Sequence, residues 1–177
     1  RNYEEGILTA YRDLPEADVI IFNIGNRPAH WGDMPKKLGY LDLMHVASWQ
    51  ISFKRESIVN NNVYFDEHMG AGSGNGAEEE FRFLTDCRKN GLAIYYVPFV
   101  IADVAQTKST WFKGYNEEFF INRGNTTRYI MGYVPAVLYA AYYSIRKRHQ
   151  FDSDISWFKA FRLIMKGIHE NRLGKKK

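Results

Sequence analysis

Cysteine is almost missing from this chain: Cys87 stands alone among 177 residues, so no internal disulfide can form, and the usage fits a reducing compartment. Proline is scarce too, five in all, so each reads as punctuation: Pro15 breaks a first helix, Pro98 ends a strand and Pro135 kinks a helix. The opening residues Arg1-Asn2-Tyr3-Glu4-Glu5 lack the apolar run of a secretory leader. The longest apolar segment, residues 129–145, holds 17 residues, the short limit for a membrane crossing, and Pro135 lies inside it. His30, His45, His149 and His169 show no metal-ligand spacing and are assigned surface or packing roles. Disorder is excluded by what is present: 45% hydrophobic and 16% aromatic residues, enough for one folded unit with a sizeable core and an appendage.

Acidic residues are also missing from one end. Residues 123–177 carry 12 Lys and Arg against 3 Asp and Glu, whereas residues 1–122 carry 12 against 17. A balance of +9 after −5 points to an appended segment that meets an anionic surface, the other reading being a solvated basic face without a partner. No base-reading motif accompanies the charge, so a membrane surface is expected and nucleic acid is not.

Periodicity places a helix over residues 4–14 and a buried strand over residues 17–24, whose unbroken apolar run suits a strand covered on both faces. Residues 25–40 read as an irregular excursion. Residues 48–54 alternate, which predicts a strand with Trp49, Ile51 and Phe53 on the core face and Ser48, Gln50 and Ser52 on the other. A helix is expected over residues 78–90, with Phe81, Leu84 and Cys87 along its apolar stripe and Gly91 as its stop, and a third strand over residues 92–97. This order is that of an α/β layer.

The segment with the most chemistry lies between the second strand and that helix. Glycines at 70, 72, 74 and 76 free the backbone for positive φ and for close approach of a ligand, and Glu78-Glu79-Glu80 follow at the helix start. Carboxylates there are favoured by the helix dipole and could hold a general base near a bound hydroxyl. The plainer reading, a surface helix opening after a flexible loop, fits the spacing equally well. Beyond residue 115, Asn116 caps a short helix closed by Gly124, residues 126–147 form an apolar helix followed by Arg146-Lys147-Arg148, and residues 153–171 form a basic amphipathic helix. The last sets Trp157, Phe161, Ile164 and Ile168 against Lys159, Arg162 and Lys166. The wheel suits a membrane interface ahead of docking onto the protein itself. Asp152-Ser153-Asp154 reads as an N-cap, not a metal motif.

The succession Ile51-Ser52-Phe53-Lys54-Arg55, Phe65-Asp66-Glu67, Gly70-Ala71-Gly72, the acidic run, Phe83-Leu84, Gly91-Leu92 and Ile94-Tyr95-Tyr96-Val97-Pro98 resembles the second half of a family 2 glycosyltransferase of the GT-A fold. Ser109-Thr110-Trp111-Phe112 with Gly114 and Gly124 is similar to the branch that builds bacterial cell-surface polysaccharides. The resemblance implies a partial GT-A, Rossmann-like mixed sheet with helices over residues 1–115, the acceptor-side half of the catalytic domain, followed by carboxy-terminal amphipathic helices over residues 116–177 that associate with a membrane.

It implies an inverting transfer from a nucleotide sugar to a hydroxyl of a lipid-linked or polysaccharide acceptor, on the cytoplasmic, inner face of the cell membrane. The catalytic base falls on Glu80, where the family carries Asp, with Glu79 beside it as the substitute. Gly70, Gly72, Gly74, Trp49 and His68 would contact substrate. Asp103 falls near a position where relatives carry a metal-touching histidine, though an ordinary loop aspartate is the better reading. A divalent cation, Mg or Mn, is expected with ligands outside this chain, since no Asp-x-Asp in a nucleotide-binding setting precedes Tyr3. The contrasting hypothesis is a non-catalytic membrane-docking or partner-binding module that keeps the scaffold.

Overall fold

The computed structural model describes residues 2–26, 31–70, 73, 78–104 and 114–175. Among them the chain is mixed α/β, with a four-stranded mixed sheet and six α-helices. It divides into two compact units, the first of residues 1–66 and 79–107 and the second of residues 67–78 and 108–177.

In the first unit, β1 (Val19–Ile24) is buried at every residue but Asn23. That burial explains its unbroken apolar sequence: a strand flanked on both edges and covered on both faces needs no polar side. It pairs in parallel with β4 (Ile94–Ala102) and antiparallel with β3 (Ile51–Phe53), while β2 (Lys36–Lys37) adds to the far edge of β4, giving the order β2-β4-β1-β3. α1 (Tyr3–Asp13) lays Ile7, Ala10 and Tyr11 over Ile20 and Phe22. Asp18 ties the strand ends together, accepting the Ala93 N–H at 2.8 Å and the Ser57 hydroxyl at 2.6 Å from α2 (Arg55–Asn60), a short helix the periodicity did not predict.

α3 (Glu79–Lys89) follows, stopped at Gly91 (φ +80°) as expected. Phe83 of this helix stacks on Phe65 at 4.3 Å and meets Phe53 at 5.6 Å. Cys87 is fully buried, and desolvation pushes its thiol up to about 12, so it stays neutral and inert.

Two strand expectations need correction. β4 does not end at Pro98 but runs through it: Phe22 pairs with Val97 and Asn23 with Val100, so Pro98 and Phe99 fall in a bulge where no ladder N–H is required. The alternating segment 48–54 is strand only at Ile51–Phe53, and Ser48–Gln50 is a single 3-10 turn. The turn inverts the expected faces, burying Gln50 (6% exposed) and leaving Trp49 37% exposed. The cause is polar: the Gln50 amide donates to the Phe22 carbonyl at 3.2 Å and accepts the Ala47 N–H at 3.0 Å, satisfying two backbone groups that the strand pairing leaves open.

The second unit is built on three helices, α4 (Glu117–Met131), α5 (Tyr133–Arg146) and α6 (Trp157–Glu170). Asn116 caps α4 as the sequence suggests, its side chain accepting the Phe119 N–H at 2.9 Å. Gly124 does not close that helix. It lies buried in mid-helix against the backbone of Ile164, and Gly167 lies against the backbone of Ile121, so α4 and α6 touch main chain to main chain.

The break comes instead at Gly132, whose φ of +85° and ψ of 179° are open to glycine and costly to any other residue. Pro135 consequently falls in the first turn of α5, where its missing N–H has no helical partner to lose, and kinks nothing. Ser156, not the Asp152–Asp154 segment, caps α6. The core joins Phe120, Ala136, Ala140, Tyr143, Phe151, Ile155, Ala160, Ile164 and Ile168. The apolar side of α6 at Ile164 and Ile168 is therefore spent on self-docking, against the expectation that it lies on a membrane. Among the described residues no helix is long and apolar enough to cross one.

Candidate functional site

Glu79 and Glu80 open α3, where the backbone N–H groups of a first turn lack helical partners and favour negative charge. Glu80 Oε1 accepts the Ser48 N–H at 3.2 Å. That amide is in place because Gln50 fastens the 47–50 turn to the end of β1, and the same turn pushes the Trp49 indole outward. Two segments 32 residues apart thus meet in the first unit: the Glu80 carboxylate, and the Ser48 amide that holds it next to Trp49, a half-exposed ring of the kind that stacks on sugar faces. Glu79 differs. Its Oε2 is buried and has no hydrogen-bond partner among the described residues. A buried carboxylate oxygen without a donor is costly unless a proton or a ligand hydroxyl supplies one.

His68 and Gly70 belong to the second unit. His68 is exposed, whereas Gly70 is buried at φ +83° and its carbonyl accepts both the Ser73 N–H at 3.2 Å and the Ser73 hydroxyl at 2.9 Å. Gly72 and Gly74 lie outside the described residues, as do His30 and Ser109-Thr110-Trp111-Phe112. Asp103 sits close beside Gly25 in the first unit, where a Cβ on that glycine would strike its carboxylate. Among the described residues no three His, Cys, Asp or Glu side chains converge as cation ligands, so no ligand is assigned to a divalent ion here. A shallow groove of about 390 Å³ between α1 and β4, lined by Glu5, Thr9, Asp13 and Phe99 among others, holds none of the predicted residues.

Glu78 was read only as one of three carboxylates at the helix start, and Arg123 was given no role. Glu78 holds a φ of +96°, a conformation that costs a non-glycine residue about 1–3 kcal/mol and persists only where its surroundings enforce it. Its carboxylate pairs with Arg123 of α4 at 3.0 Å. Arg123 is itself enclosed, donating to the Tyr139 hydroxyl at 2.8 Å and lying over the rings of Phe119 and Tyr143 at 5.1 and 4.9 Å.

Burial works against the guanidinium charge, but the Glu78 carboxylate and the two tyrosines outweigh it and hold its pKa above the usual arginine value. The same burial pushes the Tyr139 hydroxyl up to about 12, with Arg123 pulling the other way. No spacing rule connects residue 78 to residue 123. The sequence around Arg123, in a helix that also carries Glu117, Glu118 and Arg128, does not single it out.

No family model, curated protein or solved structure matches this chain.

Proposed function

We propose that this chain is the acceptor-side part of an inverting family 2 glycosyltransferase of the GT-A, Rossmann-like type. It would transfer a sugar from a nucleotide sugar to a hydroxyl of a lipid-linked or polysaccharide acceptor at the inner face of the cell membrane. The observation that carries the proposal is the Glu80 carboxylate anchored on the Ser48 N–H beside the outward-facing Trp49, with Glu79 presenting a buried, unpartnered oxygen one residue away.

In this reading the indole stacks on the acceptor sugar, and the carboxylate takes the hydroxyl proton as that oxygen bonds to the anomeric carbon and the nucleoside diphosphate leaves with the electrons of the broken C–O bond. The Ser48 amide fixes Glu80 in orientation, which matters because misplacing a base by about 1 Å can cost 10²-fold in rate. Glu79 supplies the second carboxylate should the longer Glu side chain at position 80 overshoot.

The test is turnover of a panel of nucleotide sugars by the protein joined to its nucleotide-binding part, with Glu80→Gln, Glu79→Gln and Glu78→Gln in parallel. Removing the base lowers kcat by about 10²–10⁴ while leaving donor binding intact. Wild-type rates in both Glu79→Gln and Glu80→Gln would refute the assignment, and collapse in Glu78→Gln alone would move the base one residue upstream. A protein that turns over no nucleotide sugar yet binds lipid would be the non-catalytic docking module instead, a reading favoured by the exposed apolar side chains of α5.

A further inference from the structure

α5 has two apolar faces, and the unit uses only one. Ala136, Ala140 and Tyr143 are buried in the helical core, whereas Val134, Leu138, Tyr142 and Ile145 are 66, 67, 53 and 55% exposed. Their spacing of four, four and three residues puts them in one stripe along the helix. A stripe of large aliphatic and aromatic side chains in water is not the ordinary scatter of single exposed apolar residues. It runs into Arg146-Lys147-Arg148, and across the connection of residues 147–156 two more large rings, Trp157 and Phe158, stand exposed at the start of α6.

We propose that this outer stripe of α5, with Trp157 and Phe158, is the surface by which the protein lies on an anionic lipid leaflet. Val134, Leu138 and Ile145 would enter the acyl boundary, the aromatic rings would sit at headgroup level, and Arg146 and Arg148 would meet lipid phosphates. The occupant follows from charge. α5 carries no acidic residue, Arg146 and Arg148 are exposed, and residues 123–177 hold 12 Lys and Arg against only 3 acidic residues, Asp152, Asp154 and Glu170, a surplus of nine positive charges. A second copy of the chain would bring the same surplus to the contact, whereas an anionic leaflet neutralises it. α6 is not the membrane helix, because its apolar side is already committed to α4. The inference rests on the membrane half of the proposed function alone, so it and the sugar-transfer half fail separately.

The experiment is co-sedimentation of the full chain with vesicles of phosphatidylcholine, with and without phosphatidylglycerol. Binding to the anionic vesicles is expected, at least about tenfold weaker on phosphatidylcholine alone and weakened by high salt. The double substitution L138E/I145E lowers binding about tenfold or more, and R146E/R148E removes the preference for phosphatidylglycerol. Leu8→Glu, an equally exposed apolar position on α1, changes nothing. The substituted positions face solvent, so circular dichroism and melting temperature stay at wild-type values; if L138E/I145E fails that check, Leu138→Gln carries the comparison. The proposal is overturned if the wild type ignores both vesicles, if folded L138E/I145E binds like the wild type, or if light scattering shows a dimer that L138E/I145E dissolves.

Discussion

Replacing Gly124 or Gly167 by alanine tests the backbone-to-backbone crossing of α4 and α6. A Cβ at Gly124 would run into the Ile164 carbonyl oxygen and stand 2.9 Å from its carbon and 3.0 Å from the Ile168 nitrogen. A Cβ at Gly167 would meet the Ile121 carbonyl oxygen and stand 2.9 Å from the Asn125 nitrogen. All of these are main-chain atoms that no rotamer change can move. Non-bonded carbon atoms settle at about 3.5–4.0 Å, so the helices must part by roughly 1 Å, and Phe120, Ile164 and Ile168 lose packing around the crossing.

Overpacking of this kind costs about 1–3 kcal/mol, and a clash against backbone belongs at the upper end. Alanine returns about 1 kcal/mol of helix propensity, leaving a net loss of about 2 kcal/mol for either substitution. For a unit of this size that lowers the melting temperature by about 10 °C. Both substitutions widen the same crossing, so the double variant falls short of the sum. Urea unfolding followed by far-ultraviolet circular dichroism measures all three. A gain of about 1 kcal/mol in Gly124→Ala, the value for a glycine with open space around it, would refute the backbone contact. Strict additivity would refute the shared crossing.

Arg123→Met keeps the bulk of the side chain but removes the charged hydrogen bonds to Glu78 and Tyr139 and two ring contacts, and it should cost about 2–3 kcal/mol. A loss below about 0.5 kcal/mol in denaturant unfolding would mean that the cluster is incidental. Alkaline pH probes the same cluster. The partly buried Tyr139 holds its proton up to about pH 12, against 10.0 for the ordinary side chain, so its contribution is complete below pH 10 and is lost as pH rises toward 12. Tyr143, raised chiefly by burial, adds to the same slope. Tyr139→Phe should flatten the stability profile between those two values, and an unchanged slope would contradict it.

The central strand β1 and the helix α3 were legible because their signals were local. β1 shows an unbroken apolar run, and α3 shows an apolar stripe closed by Gly91. What escaped was long-range. Gly124 reads as a helix stop in sequence, yet it is a helix interior because another helix lies against it, and no local window contains Ile164. Trp49 and Gln50 exchanged faces because one amide satisfied backbone groups in β1, a demand that alternation does not encode. Pro98 ended a strand in sequence but found a bulge in the fold. Of the candidate site, the carboxylates were legible as a cluster at a helix start. Their separate environments, Glu78 on Arg123, Glu79 half enclosed and Glu80 on Ser48, depend on segments that only the fold assembles.

The outer strands of the sheet carry a consequence of their own. β2 offers only Lys36 and Lys37, both exposed, and β3 only three residues, so neither rim presents a long, flat ladder of unpaired amides. Another chain seeking to extend the sheet finds two positive charges at one rim and an abrupt end at the other. Fibrous growth by strand addition is thereby discouraged in a protein whose central strand, Val19-Ile20-Ile21-Phe22, would template it readily if it were ever uncovered.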